Sequence, residues 1–161
     1  MTTRILLADQ GTARFYDLEG PDGELRLISE LTNSAAHMHD RDLKSDKPGR
    51  IFSSAGSPSN RRGSVVHHST GGEETPKRHI ALAFAHHIVH DLEKAHAAQQ
   101  FDALVVIAGP RFTGLLRSVM SKPLQELIKA EVLKDLLHEP ESAIQGYLPI
   151  EVVSARAALP A

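Results

Sequence analysis

The feature that most constrains the fold is the apolar run from Phe101 to Ala108, in which Asp102 is the only polar residue. A strand that is apolar at nearly every position must be covered on both faces, which is typical of parallel sheets flanked by helices. Gly109-Pro110 ends the run, and Phe112–Met120 predicts a short helix directly after it. The run therefore predicts an α/β domain with a central buried strand.

Three strands are predicted near the start of the chain. Arg4–Ala8 is typical of a buried strand, whereas Thr12–Leu18 and Glu24–Leu31 alternate between apolar and polar residues. Asp9-Gln-Gly11 and Gly20-Pro-Asp-Gly23 supply the two turns between them. These segments predict an antiparallel meander.

Helices and further strands are predicted after a long gap. Thr75-Pro76 indicates an N-cap followed by Pro, and an apolar stripe at helical spacing continues to about Ala98. The segment Leu124–Leu137 fits a helix by propensity, but the topology favours a fifth strand around Leu127–Leu133. A last short helix is predicted at Glu139–Tyr147.

The order of elements is β-β-β-α-β-α-β-α, with right-handed crossovers between the parallel strands. This order predicts a single α/β domain with a mixed five-stranded sheet, the ribonuclease-H-like arrangement. We expect the domain to span residues 1–148, with a long polar loop at 33–75 after the third strand. Residues 149–161 are expected to form a C-terminal tail, with a strand at Glu151–Val153.

Composition narrows the classes of function. The chain has 161 residues, a net charge of −2 and no Cys, so it has neither disulfides nor thiolate chemistry. No apolar run is long enough for a signal peptide or a membrane span, and a cytoplasmic location is expected. No glycine-rich nucleotide motif is present, and no cofactor is expected.

The long loop concentrates positive charge in a chain that is acidic overall. Six basic residues between positions 37 and 63 could bind phosphate oxygens: Arg41, Lys44, Lys47, Arg50, Arg61 and Arg62. Three carboxylates, at Asp40, Asp42 and Asp46, could instead pair with these cations. Both anion binding and a self-paired loop remain open.

Three blocks resemble the bacterial host-attachment family, whose members are named as required for attachment to host cells. The first block is Arg41–Arg50 with Phe52 and Gly56, and its signature residues are Asp42, Asp46, Pro48, Gly49, Phe52 and Gly56. The second is Gly109–Arg117, and the third is Lys134–His138. The resemblance covers roughly residues 4–148.

The same family is similar to the middle domain of archaeal and eukaryotic peptide release factors and of Pelota. In release factors a Gly-Gly-Gln loop precedes the long helix, whereas this chain has Gly71-Gly72-Glu73 at that place. A carboxylate could not supply the amide contacts of Gln. The resemblance therefore implies ribosome or RNA binding without catalysis of peptide release.

Arg111 is the best candidate site residue outside the loop. It follows a buried parallel strand and opens a helix, at the place where α/β sheets bind ligands and helix N–H groups attract anions. A packing or capping role for Arg111 is the alternative.

Asp9 and a set of helix residues are candidate metal ligands. Asp9 ends the first strand, where related folds place a metal-binding Asp, but no second carboxylate is well placed beside it. His86 and His90, with His79 and Glu93, share one helix face, although a solvated surface explains them more simply. No metal site is predicted.

Taken together, the sequence predicts a non-catalytic cytoplasmic domain that binds ribosomal or other RNA through the basic loop and Arg111. Two alternatives remain open. One is a structural or protein-interaction factor needed for attachment to host cells, and the other is a metal-dependent nuclease or phosphoesterase centred on Asp9.

Overall fold

The computed structural model describes residues 1–19, 22–37 and 75–157, with only the backbone for 154–157. Its centre is a five-stranded sheet in the order β3-β2-β1-β4-β5. The strands are β1 (Thr3–Ala8), β2 (Thr12–Glu19), β3 (Glu24–Thr32), β4 (Ala103–Ala108) and β5 (Ile128–Val132). β1 pairs antiparallel with β2 and parallel with β4, and β4 pairs parallel with β5. The predicted mixed five-stranded α/β sheet is confirmed.

In the part of the chain that the structure describes, three helices connect the strands that follow β3, and two more helices follow β5. They are α1 (Pro76–Ala97), α2 (Pro110–Val119), α3 (Lys122–Glu126), α4 (Glu141–Tyr147) and α5 (Ile150–Ala157), and a 3-10 turn spans Ser34–His37. Among the described residues, no helix combines the length and apolar character needed to cross a bilayer.

Two hydrophobic clusters cover the two faces of the sheet. On one face, α1, α2 and α3 pack over alternate residues such as Leu6 and Val106. On the other, the chain from Leu136 onward packs over Ile5 and Val105. β1 and β4 are buried at every position, as an apolar strand between two covered faces must be.

Two parts of the chain differ from the sequence prediction. The predicted strand at Glu151–Val153 is wrong, because this segment lies in helix α5. Val152 and Val153 pack against the second cluster, and Val153 contacts Gly23 closely. Packing of these two partly buried valines outweighs the strand preference of β-branched residues. The ambiguous segment Leu124–Leu137 contains both predicted alternatives, with α3 followed by β5.

Candidate functional site: a basic cleft at the carboxyl edge of β1 and β4

A cleft of about 720 Å³ opens where the parallel strands β1 and β4 end. Gln10 enters it from the turn after β1, and Arg111 enters it from the start of α2, directly after β4. The first turn of α1 forms another wall. None of the described residues that line the cleft is acidic. Its position matches the crevice at strand carboxyl ends where α/β sheets bind ligands.

The first turn of α1 contributes two cations to this cleft, Lys77 and Arg78. Thr75 is the N-cap, and its Oγ1 accepts a hydrogen bond from the Arg78 N–H at 3.3 Å. No acidic residue lies in this turn. Positive side chains at a helix N-terminus add to the positive end of the helix dipole, so this turn is electrostatically suited to an anion.

The start of α2 repeats this pattern with a third cation, Arg111. Gly109 is the N-cap and offers no side chain to the first turn, while Pro110 occupies the first helical positions. A hydrogen bond ties this turn to the end of β4, since the Thr113 hydroxyl donates to the Ala108 carbonyl at 3.2 Å. Arg111 is exposed, and no acidic residue lies in this turn either.

The six arginines whose side chains are described divide into two groups by their partners. Four form ion pairs with carboxylates: Arg4 with Asp17, Arg14 with Glu30, Arg26 with Glu19 and Arg117 with Glu131. Arg78 and Arg111 make no ion pair with any described residue, and both line the cleft. An unpaired guanidinium keeps its planar donor fork available for a phosphate or carboxylate.

The turn after β1 is built by Asp9. Its Oδ1 accepts hydrogen bonds from the N–H groups of Gly11 and Thr12, each at 2.7 Å. The backbone of Asn33 donates to the Gly11 carbonyl at 2.8 Å, and the His37 ring lies against Gly11. Asp9 therefore orders the hairpin turn, the simpler of its two predicted roles.

Arg111 is the only member of the predicted anion site within the described residues. The loop cations Arg41, Lys44, Lys47, Arg50, Arg61 and Arg62 lie outside the described residues, as do the signature residues Asp42, Asp46, Pro48, Gly49, Phe52 and Gly56 and the pair Gly71-Gly72. The described chain meets this segment at His37 and Thr75.

Sequence reasoning did not select Lys77 and Arg78 as site residues. A signal was present, because both follow Thr75-Pro76 in the first turn of a predicted helix, where cations are electrostatically unfavourable. The other half of the site could not be found in this way, since only packing of α1 against α2 brings these residues beside Arg111.

The third resemblance block, Lys134–His138, lies away from the cleft and serves packing. Leu136 and Leu137 are buried in the cluster on the opposite face of the sheet. Lys134 Nζ lies 4.5 Å from the ring centroid of Tyr147, a cation–π contact at the surface.

Among the described residues, no group of three or more His, Asp or Glu side chains is placed to hold a metal ion. His79, His86 and His90 are exposed on α1, and Glu93 is partly exposed. In contrast, the ring centroid of His96 lies 5.8 Å from that of Phe101, against the core.

The fold and cleft define an α/β domain with a cationic site at the carboxyl edge of its parallel strands. A family model described as "Protein required for attachment to host cells" matches residues 4–148. The chain belongs to this host-attachment family.

Similarity to solved structures is remote. Eleven chains match, and one of them is described as "Archaeal protein", with 12% identity and a TM-score of 0.42. The alignment covers 96% of this chain but only 38% of that one. No curated protein matches the chain.

Proposed function

We propose that this member of the host-attachment family is a non-catalytic RNA-binding domain that holds phosphate groups in the basic cleft. The observation that carries the proposal is the pairing pattern of the arginines. Four guanidinium groups elsewhere are neutralised by carboxylates, whereas Arg78 and Arg111 have no carboxylate partner among the described residues and share one cleft. Together with Lys77, they form a cationic surface at two helix N-termini.

The basic loop belongs to the same proposed site. The described residues on either side of this segment lie at or near the cleft: Thr75 lines it, and His37 lies against Gly11, the residue next to Gln10. Arg61 and Arg62 would then add phosphate contacts to those of Arg78 and Arg111. The resemblance to release-factor middle domains, which act on the ribosome, favours ribosomal RNA as the target and the cytoplasm as the location.

Filter binding to ribosomal RNA at several salt concentrations tests the proposal. Arg78→Gln/Arg111→Gln removes two cations from the cleft, and Arg26→Gln/Arg117→Gln removes two exposed, paired cations elsewhere as the matched control. We expect only the cleft variant to lose affinity substantially. Its slope of log affinity against log salt should flatten by about 0.7–0.9 for each lost phosphate contact.

The loop is tested separately with Arg61→Ala/Arg62→Ala, which should flatten the salt slope in the same way. Wild-type protein that shows no salt-dependent RNA binding would overturn the proposal and favour a protein-interaction role in attachment. Equal losses in the cleft variant and the Arg26/Arg117 control would indicate an effect of net charge and reject the cleft as the site.

A further inference from the structure

The solvent face of α1 carries four exposed histidines, His79, His86, His87 and His90, which we call the histidine ridge. At 3.6 residues per turn, His79, His86 and His90 lie within an arc of about 40°, and His87 lies beside them. The opposite face of α1 is buried and includes Phe84, Ile88 and Leu92. The ridge extends about 16 Å along the helix axis, enough to follow several phosphates of a strand.

The ridge is continuous with the cleft. Lys77 and Arg78, in the first turn of the same helix, line the cleft, and His79 is the next residue. A polyanion held at the amino end of α1 can therefore continue along its exposed face without leaving the protein surface.

Fixed charges around the ridge are nearly balanced. α1 carries the cations Lys77, Arg78 and Lys94 and the carboxylates Asp91 and Glu93. These amount to a net charge of about +1 with neutral imidazoles and about +5 with four imidazolium groups, and imidazole is the side chain that changes charge between pH 5 and 8. Protonation of the imidazoles would therefore strengthen the attraction of this surface for a polyanion.

Neighbouring elements add little negative charge to this surface. α1 packs against α2, α3 and the 3-10 turn, whose titratable and charged residues are Arg111 and Arg117, Lys122 and Glu126, and His37. Beneath its carboxyl-terminal half, Arg4 and Asp17 of the sheet neutralise each other. Asp91 shares the small pocket there with Arg4, rather than the cleft.

We propose that the histidine ridge is a proton-gated extension of the RNA site, so that a strand held in the basic cleft binds more tightly along α1 as the pH falls. This inference rests on the proposed function of the cleft. RNA fits this surface better than a bilayer, since none of the large exposed apolar residues of the described chain lies on α1. A helix that inserts into a membrane interface needs such residues.

Fluorescence anisotropy with a labelled single-stranded oligouridylate, at about pH 5.5 and about pH 7.5, tests the ridge. We expect wild-type affinity to rise about fivefold or more at the lower pH, which a few surface ion pairs can supply. The salt slope should also steepen by about 0.7 for each histidine that contacts a phosphate.

Two ridge variants and one control sharpen the test. His79→Gln/His86→Gln/His87→Gln/His90→Gln should remove the pH dependence, and His86→Arg/His90→Arg should bind tightly at both pH values. Gln and Arg are good helix formers, so α1 should fold in both variants, as a thermal melt would verify. His138→Gln is the control, because His138 is exposed in the segment between β5 and α4.

The outcomes separate the two proposals. Wild-type affinity that is equal at both pH values, or a pH dependence that survives in the four-glutamine variant, would overturn the ridge and leave the cleft intact. Binding only at low pH, lost in the four-glutamine variant but unaffected by Arg78→Gln/Arg111→Gln, would mean that the ridge binds RNA without the cleft, and it would overturn both proposals as stated. No binding at either pH would reject both. Sedimentation of the protein with phosphatidylserine vesicles at low pH, together with a failure to bind RNA, would identify the ridge as a membrane-binding surface and overturn the proposal.

Discussion

Arg4 on β1 and Asp17 on β2 form a two-point ion pair across the strands, with Nε to Oδ1 at 2.7 Å and Nη2 to Oδ2 at 3.0 Å. Their side chains are only 6% and 14% exposed. The Arg4 guanidinium also lies over the Phe101 ring, 5.1 Å from its centroid. This pair allows a charged residue to occupy the fully buried strand β1.

Asp17→Ala should therefore lower the free energy of unfolding by about 3–5 kcal/mol, because it leaves the buried Arg4 charge without a partner. Arg4→Met/Asp17→Leu removes both charges and should recover most of this loss. Urea unfolding of the two variants measures the difference. A double variant as unstable as Asp17→Ala would contradict this account.

Tyr16 should make stability fall at high pH. Burial raises the pKa of Tyr16 above its ordinary value of 10.0, and the nearby positive charge of Arg14 opposes this only partly. The unfolded chain then loses the phenol proton first, so the stability from neutral Tyr16 is complete below about pH 10 and is lost as the pH rises through the higher pKa of the folded state.

Unfolding measured from about pH 8 to pH 11 checks this effect. Tyr16→Phe should remove this part of the alkaline loss, whereas Tyr147→Phe, the other tyrosine of the chain, should retain it. If the free energy of unfolding falls equally at high pH in both variants, groups other than Tyr16 cause the alkaline loss of stability.

Gly114 and Gly23 should respond in opposite ways to alanine. Gly114 lies within α2, and a Cβ there would meet nothing within 4 Å. Gly114→Ala should stabilise the fold by about 0.5–1 kcal/mol, because Ala favours the helix. Gly23 has a φ of 69°, and a Cβ there would lie 3.1 Å from Val153 Cγ1, so Gly23→Ala should destabilise. Thermal melts would show whether the two signs differ.

Asp9→Ala should lower the free energy of unfolding by about 1–2 kcal/mol, since two backbone N–H groups lose their acceptor. Asp9→Asn keeps an Oδ1 and should lose less. Purified protein with Mg²⁺ or Mn²⁺ should show no hydrolysis of RNA that depends on Asp9. Hydrolysis abolished by Asp9→Asn, with the fold intact, would instead support the nuclease alternative.

Much of the fold was predictable because burial determines it locally. The apolar run at Ala103–Ala108 can only be a strand covered on both faces, and Thr75-Pro76 marks the start of α1. The end of the described chain was not predictable in this way. Val152 and Val153 favour a strand by themselves, and only their contact with distant residues such as Gly23 selects a helix.

The candidate site was predictable only in part, for a related reason. Arg111 could be selected because its position after a buried strand is a sequence property. Arg78 becomes significant only once α1 packs against α2 and four other arginines of the described chain are seen to pair with carboxylates. Whether an arginine has a carboxylate partner depends on the tertiary structure, so a local sequence pattern does not reveal it.

The described residues that flank 38–74 both lie beside the β1–β2 turn, since His37 lies against Gly11 and Thr75 lines the cleft with Gln10. The chain therefore leaves and re-enters the described domain at the same edge of the sheet, beside the cleft lined by Arg78 and Arg111. The points of attachment thus lie next to the proposed binding site, whatever the sequence between them.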